Sequence, residues 1–129
     1  MTLTRSKIRQ YILAKPETIE DYPFGPDVAV FKVLGKMFAL LSSQDDIINL
    51  NLKCDPIEAI QLRDLFEAVK PGYHMNKKHW NTVIIDGSLP KGEIERMIDN
   101  SYSLVVKGLN KATRTSLELR HGKAVIYKT

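Results

Sequence analysis

The chain has 129 residues, the usual size of one globular domain with a single hydrophobic core. Its apolar share of 43% and charged share of 26% exclude a disordered, collagen-like or low-complexity chain. No apolar run is long enough to span a bilayer, no signal-peptide core begins the chain, and only one cysteine is present. We therefore expect a cytoplasmic protein with no membrane partner and no internal disulfide.

The formal net charge of +4 is distributed unevenly along the chain. Residues 1–15 carry +4 and residues 107–129 carry +5, whereas residues 16–106 carry −5. The basic character therefore belongs to the two terminal segments, and net charge alone is a weak argument for a polyanionic partner.

The first elements predicted along the chain are a helix and a loop. Thr4 is a suitable N-cap for the helix, Ile8 and Ile12 share one of its faces, and it ends before Pro16. Residues 16–27 contain three prolines and a glycine, a composition that predicts a loop without helix or strand.

Three strands follow in the sequence pattern. Alternation with a period of two predicts strands over residues 28–33, 37–42 and 47–53, and Gly35 supplies the tight turn between the first two. The third segment has one apolar and one mainly polar face, which is typical of an antiparallel sheet covered on one side. One face of the sheet is therefore expected to be exposed.

The second half of the domain begins with a strong helix signal. Asp55 and Pro56 open a helix that is predicted to run to about Val69. Two strands and a third helix are predicted next, over residues 73–75, 80–85 and 90–108. The predicted fold class is α+β, a two-layer sandwich in the order α-β(3)-α-β(2)-α.

Residues 110–129 form a basic extension, packed on or trailing from a domain of residues 1–109. Alternation on both sides of His121 and Gly122 favours a β-hairpin, although residues 111–119 would also form a short helix, and disorder is a third alternative. The hairpin is the interpretation adopted.

The segment of residues 70–80 holds the densest group of unusual side chains: three lysines, two histidines, a tyrosine and the single tryptophan, with no acid. Lys77 and Lys78, at the tip between two strands, would contact phosphates, and Tyr73 or Trp80 would offer a stacking surface for an unpaired base. The competing interpretation is that the aromatic residues pack under the sheet and the lysines are only solvated.

No catalytic or metal site is predicted. His74 and His79 have no flanking ligands that would complete a zinc site, and Cys54 would need a histidine brought to it across the fold and an oxyanion site. We therefore expect no cofactor and no enzymatic activity, with a nucleophile at Cys54 as the remaining enzymatic alternative.

Five segments resemble, in order and spacing, the MmcQ/YjbR family of small bacterial proteins. They are Tyr22–Asp27, Phe31–Val33 with Gly35–Ala39, Lys53–Pro56, Pro71–Trp80 and Ser101–Tyr102. The resemblance implies an antiparallel sheet with helices packed on one face. It also implies the description given to the family, predicted DNA-binding proteins with a double-wing motif, and it carries over no catalytic residue.

Two functions follow from these observations. The first is weak, salt-sensitive DNA binding, with the loop Pro23–Pro26 folded over the sheet as one wall of a shallow site. The predicted nucleic-acid-binding residues are Lys77, Lys78, Lys36, Lys53, Lys32, Tyr73, His74 and Trp80. The alternative is a chaperone-like module that binds a protein or peptide on the exposed sheet face or a strand edge.

Overall fold

A computed structural model describes residues 3–73 and 75–128, apart from the side chain of Gln44. The helices of this part of the chain are α1 (Arg5–Leu13), α2 (Pro56–Leu65), α3 (Lys91–Lys107), α4 (Lys111–His121) and α5 (Lys123–Ile126). The strands are β1 (Thr18–Asp21), β2 (Val28–Val33), β3 (Lys36–Gln44), β4 (Ile47–Lys53), β5 (Val69–Pro71) and β6 (Trp80–Ile85). None of the helices described is long and apolar enough to cross a membrane.

The strands form one antiparallel sheet in the order β1-β2-β3-β4-β6-β5. Helix α3 packs across β2, β3 and β4, α1 packs on β1 and β3, and α2 packs beside β5. The main core lies between this sheet and the helices. The predicted α+β sandwich is confirmed. The opposite side of the sheet, called the open face below, carries a small second cluster of buried apolar residues, Val30, Leu40 and Trp80.

The predicted helix starts and the hairpin turn are confirmed by the local geometry. The Thr4 hydroxyl accepts from the amide of Lys7 at 3.2 Å, and the Asp55 carboxylate accepts from the first two free amides of α2. In the β2–β3 turn both Leu34 and Gly35 have positive φ, 48° and 85°, which gives the turn the twist that a two-residue hairpin needs.

Strand β3 contains a β-bulge at Phe38, which is an extra residue opposite Phe31 and Lys32 of β2. The buried hydroxyl of Ser101, on α3, satisfies the backbone groups that the bulge leaves unpaired. It accepts from the amide of Lys53 at 2.9 Å and donates to the carbonyl of Phe38 at 2.5 Å. The bulge is thus tied to the helical layer.

The expectation that residues 16–27 contain no strand was wrong, because β1 lies there. Its main chain pairs with β2 from Thr18 opposite Val33 to Asp21 opposite Val30, at the edge of the sheet. The prolines of this segment lie outside the strand, so they do not interrupt the pairing.

The boundaries of α2 and of the fourth predicted strand were also wrong. Helix α2 ends at Leu65 rather than Val69, because Phe66 is extended and Val69 begins the edge strand β5. The strand predicted at residues 73–75 is absent at the described residues 73 and 75, and His74 lies outside the described residues.

The predicted C-terminal hairpin was wrong, since residues 111–126 form α4 and α5. The Asn110 side chain caps α4 by accepting from the amide of Thr113 at 2.8 Å. Leu117 and Ile126 are completely buried in the main core. Helical geometry brings both apolar side chains to the core, and burial outweighs the weak alternation that favoured a hairpin.

Candidate functional site

The strand register arranges the open face in rows of side chains that run across the sheet. The central row consists of Val30, Leu40, Asn51 and Thr82. Toward the β2–β3 turn lies a row of Lys32, Met37, Lys53 and Trp80. Toward the β3–β4 turn lies a row of Val28, Ser42, Asn49 and Ile84.

A groove of about 740 Å³ covers the central row and the row toward the β3–β4 turn. Its walls include Phe24, from the β1–β2 connection, and Tyr73, from the β5–β6 connection, and these rings are 66% and 65% exposed. The remaining lining residues are Asp27, Val28, Leu40, Ser42, Ser43, Asn49, Asn51 and Met75. The loop at Pro23–Pro26 therefore contributes a wall through Phe24, but none of the five predicted lysines is among the residues that line the groove.

The wall at Tyr73 is held by close packing and by hydrogen bonds. A Cβ atom on Gly72 would lie 2.8 Å from Cβ of Trp80 and 2.9 Å from its carbonyl oxygen, so only glycine fits without movement. The Tyr73 amide donates to the Thr82 hydroxyl at 2.9 Å, and that hydroxyl donates to Oδ1 of Asn51. The Asn51 amide is thereby oriented with its oxygen toward Thr82.

The five lysines of the prediction lie at one end of the sheet, called the lysine end below. Lys32 and Lys53 share a row of the open face. Lys36 follows the β2–β3 turn and pairs with Val33 of the main core, so its register position is on the helical side of the sheet. Lys77 and Lys78 lie in the connection that enters β6 at this same end. The strand pairing thus gathers side chains that are distant in sequence.

The lysine side chains differ in their partners. Lys32 pairs with Asp21 at 3.2 Å, and the ammonium of Lys77 donates to the carbonyl of Gly72 at 3.0 Å. Among the described residues no carboxylate pairs with Lys36, Lys53 or Lys78. These last three cations are therefore the ones available to an anionic ligand.

The loop that carries Lys77 and Lys78 is held in place by hydrogen bonds. Arg63 of α2 donates to the carbonyl of Lys77 at 2.5 Å and to the side chain of Asn81 at 2.8 Å. The side chain of Asn76 accepts from the amide of Lys78 at 2.9 Å, closing a local turn. The positions of these lysine backbones are therefore fixed by contacts to α2 and β6.

Two predicted site residues are placed differently from the rest. Trp80 is only 9% exposed and packs with Val30 and Leu40, so its ring supports the open face instead of offering a stacking surface. His74 lies outside the described residues. Tyr73 is consequently the aromatic side chain of the 70–80 segment that reaches the groove.

The basic terminal segments do not join the lysine end. Arg9 forms a two-pronged ion pair with Glu20, and Arg120 pairs with Glu17 at 2.7 Å. Lys15 is buried in an ion pair with Asp99, which also accepts from the hydroxyl of Tyr11 at 2.8 Å. These terminal charges therefore serve the helical layer.

The enzymatic alternative gains no support from Cys54. Its thiol is buried, and burial raises its pKa to about 11, with the nearby Glu58 as a smaller cause. Its amide is bonded to the carbonyl of His79 at 2.8 Å, which is a backbone contact. No group of three potential metal ligands occurs among the described residues.

Sequence reasoning did not identify the uncharged polar residues on the floor of the groove, and it counted Lys70 in the 70–80 segment without including it among the predicted binding residues. Asn49 and Asn51 were recognised only as the polar face of a strand, and Thr82 was not considered. Lys70 pairs with Thr82 in the register and so lies on the open face beside the groove. Identifying these residues required the strand order, because β6 lies between β4 and β5.

Comparison with known proteins assigns the chain to a family of small α+β proteins. Residues 13–104 match the YjbR family model, and the chain belongs to this family. It is 41% identical over 90 residues to protein YbdF of Escherichia coli O157:H7, covering 70% of this chain and 74% of that one. It is 34% identical over 115 residues to YjbR of Escherichia coli K12, covering 89% and 98%. Both relatives are described as uncharacterized.

Solved structures support the same assignment. The crystal structure of Deinococcus radiodurans protein DR2400, a DUF419 domain, superposes with a TM-score of 0.81 at 40% identity, covering 88% of this chain and 87% of that one. A Pseudomonas syringae protein superposes with a TM-score of 0.71 at 33% identity, covering 79% and 98%. These names state a family and a fold, and an activity has to be argued from the site.

Proposed function

We propose that this chain binds nucleic acid, with the lysine end of the sheet contacting phosphates. The observation that carries the proposal is the register that gathers Lys36, Lys53 and Lys78 at one sheet end without carboxylate partners among the described residues. Unpaired ammonium groups on a fixed scaffold bind phosphates mainly by releasing counterions, so the expected binding is weak and strongly dependent on salt.

The peptide-binding alternative has less support from the strand edges. Strands β2, β3, β4 and β6 are interior, so their backbone groups are already paired within the sheet. The edge strand β5 has three residues and includes Pro71, which has no amide to donate, and the edge strand β1 has four residues. Addition of a peptide strand would gain few hydrogen bonds at either edge.

The test is fluorescence anisotropy with a labelled DNA duplex over a range of salt concentrations. If about four phosphates are neutralised, the slope of log K against log salt is about −3.6, with micromolar or weaker affinity. Reversing three charges in the variant Lys36→Glu/Lys53→Glu/Lys78→Glu is expected to reduce that slope by about 2.7 and to leave the melting temperature nearly unchanged.

The matched control is Lys91→Glu/Lys111→Glu/Lys123→Glu, which changes the net charge equally at exposed positions on the helices. This control is expected to bind nearly as well as the parent chain. Equal loss of affinity in both variants would mean that only net charge matters. A flat salt response, or no binding at low salt, would refute the proposal.

A further inference from the structure

We propose that the groove beside the lysine end holds an unpaired nucleobase, so that the preferred ligand is a single strand. The inference rests on the proposed function, because the lysine end supplies the phosphate contacts while the groove supplies contacts to the base. Phosphate binding alone gives Phe24, Tyr73 and Asn51 no role, whereas this inference makes them contacts to the base.

The walls of the groove suit a flat aromatic ligand. Phe24 stands on the β2 side and Tyr73 on the β5–β6 side, and β3 and β4 form the floor between them. The volume of about 740 Å³ lies within the roughly 300–1,000 Å³ of typical small-ligand sites. Exposed aromatic rings on a sheet stack with the faces of bases, and paired bases in a duplex do not expose those faces.

The floor of the groove carries neutral hydrogen-bonding groups. The Asn51 amide turns its oxygen to Thr82, so its NH₂ group remains as a donor toward the groove. Within the described residues, no side-chain hydrogen bond engages Asn49 or Ser42, which lie one row further along. Amides and hydroxyls at these positions match the donors and acceptors on the edge of a base. An aliphatic side chain of a peptide would leave them unsatisfied.

The charges around the groove favour one orientation of the ligand, with its phosphate toward the lysine end. Asp27 lines the end toward the β3–β4 turn, where a carboxylate repels phosphate and accepts from donors on a base edge. Lys53 lies two residues beyond Asn51 along β4, about 7 Å away on the strand. Lys70 pairs with Thr82 in the register, so it lies on edge strand β5, across the sheet from Asn51. A ligand with a neutral ring and an adjoining phosphate is complementary to this arrangement.

The test compares three labelled ligands on the full chain by anisotropy: a thymine strand, an abasic strand of the same length, and a duplex. A length of about 12 nucleotides falls within the roughly 4–16 that single-strand sites cover. The thymine strand is expected to bind about fivefold or more tightly than the abasic strand and more tightly than the duplex. The abasic strand retains the phosphates, so it isolates the contribution of the bases.

Two exposed aromatic side chains provide the variants. Phe24→Ala and Tyr73→Ala are each expected to weaken binding of the thymine strand by about fivefold or more, while binding of the abasic strand is unchanged. Tyr73→Phe retains the ring and is expected to retain affinity. Leu119→Ala, at a side chain 82% exposed on α4, is the control for loss of a surface apolar group.

The outcomes separate this inference from the proposed function. Equal, salt-sensitive binding of the thymine and abasic strands, or tighter binding of the duplex, would overturn the inference and leave phosphate binding intact. Loss of abasic binding in Tyr73→Ala would also overturn it, because the variant would then act through the structure of the lysine end. Absence of binding to all three ligands would refute the proposed function itself.

Discussion

Replacing Ser101 with alanine tests whether the bulge in β3 depends on the helical layer. The change removes one hydroxyl and almost no volume, but it leaves the Lys53 amide and the Phe38 carbonyl without the partner they have in the structure. A buried backbone group without a partner costs about 1–3 kcal/mol, so Ser101→Ala is expected to lower the free energy of unfolding by about 2–4 kcal/mol.

The assay is urea unfolding together with thermal melting. For a chain of 129 residues each kcal/mol corresponds to about 4 °C, so the melting temperature is expected to fall by about 8–16 °C. Ser103→Ala is the control, since Ser103 is also buried on α3 and makes no side-chain hydrogen bond within the described residues. If Ser101→Ala costs no more than Ser103→Ala, the hydroxyl does not hold the bulge.

Three further predictions concern titratable groups. Because burial raises the pKa of Cys54 to about 11, its thiol is expected to react with iodoacetamide at about pH 8 roughly a hundredfold more slowly than after unfolding. Hydrogen bonds from Arg120 lower the pKa of Glu17, so the stabilisation by Glu17 is present above its ordinary value of 4.5 and is lost as pH falls through the folded value. Urea unfolding is therefore expected to show the parent chain as more stable than Glu17→Gln at neutral pH, and this difference is expected to vanish in acid. Asp99→Ala leaves buried Lys15 without its carboxylate and is expected to cost about 3–5 kcal/mol, whereas the double variant Lys15→Met/Asp99→Leu recovers most of that loss.

Each of these predictions has a contrary result. Rapid labelling of native Cys54 would mean that the thiol is more accessible than its burial implies. A difference between the parent chain and Glu17→Gln that persists in acid would mean that the residue acts through packing. Equal destabilisation in the single and double variants at Lys15 and Asp99 would mean that the hydrogen bond of Tyr11 to Asp99, and not the isolated charge, dominates.

Local signals in the sequence were sufficient for most of the fold. Thr4 and Asp55 cap helices because their side chains satisfy nearby amides, and Gly35 turns the hairpin because it accepts a positive φ; all three effects act within a few residues. Strand β1 is different, since its extended backbone is stabilised by pairing with β2 across an intervening loop. Its composition therefore gave no signal for it.

The C-terminal helices show how tertiary packing overrides a local pattern. Residues 116–128 alternate well enough to favour a hairpin, but the chain buries Leu117 and Ile126 in the core on helices α4 and α5. For the candidate site, the lysines and aromatic residues were recognised individually. Their arrangement depends on the strand order and on the bulge at Phe38, neither of which is encoded in local spacing.

The burial of Trp80 provides an intrinsic optical probe for two separate events. It is the single tryptophan of the chain, and it lies under Gly72 and beside Met75 at the margin of the groove. Unfolding transfers the indole from an apolar environment to water and shifts its emission to longer wavelength. A ligand that displaces Tyr73 or Met75 alters the local environment without exposing the ring, so it changes emission intensity with little shift. Unlabelled protein can therefore report occupancy and unfolding in one titration.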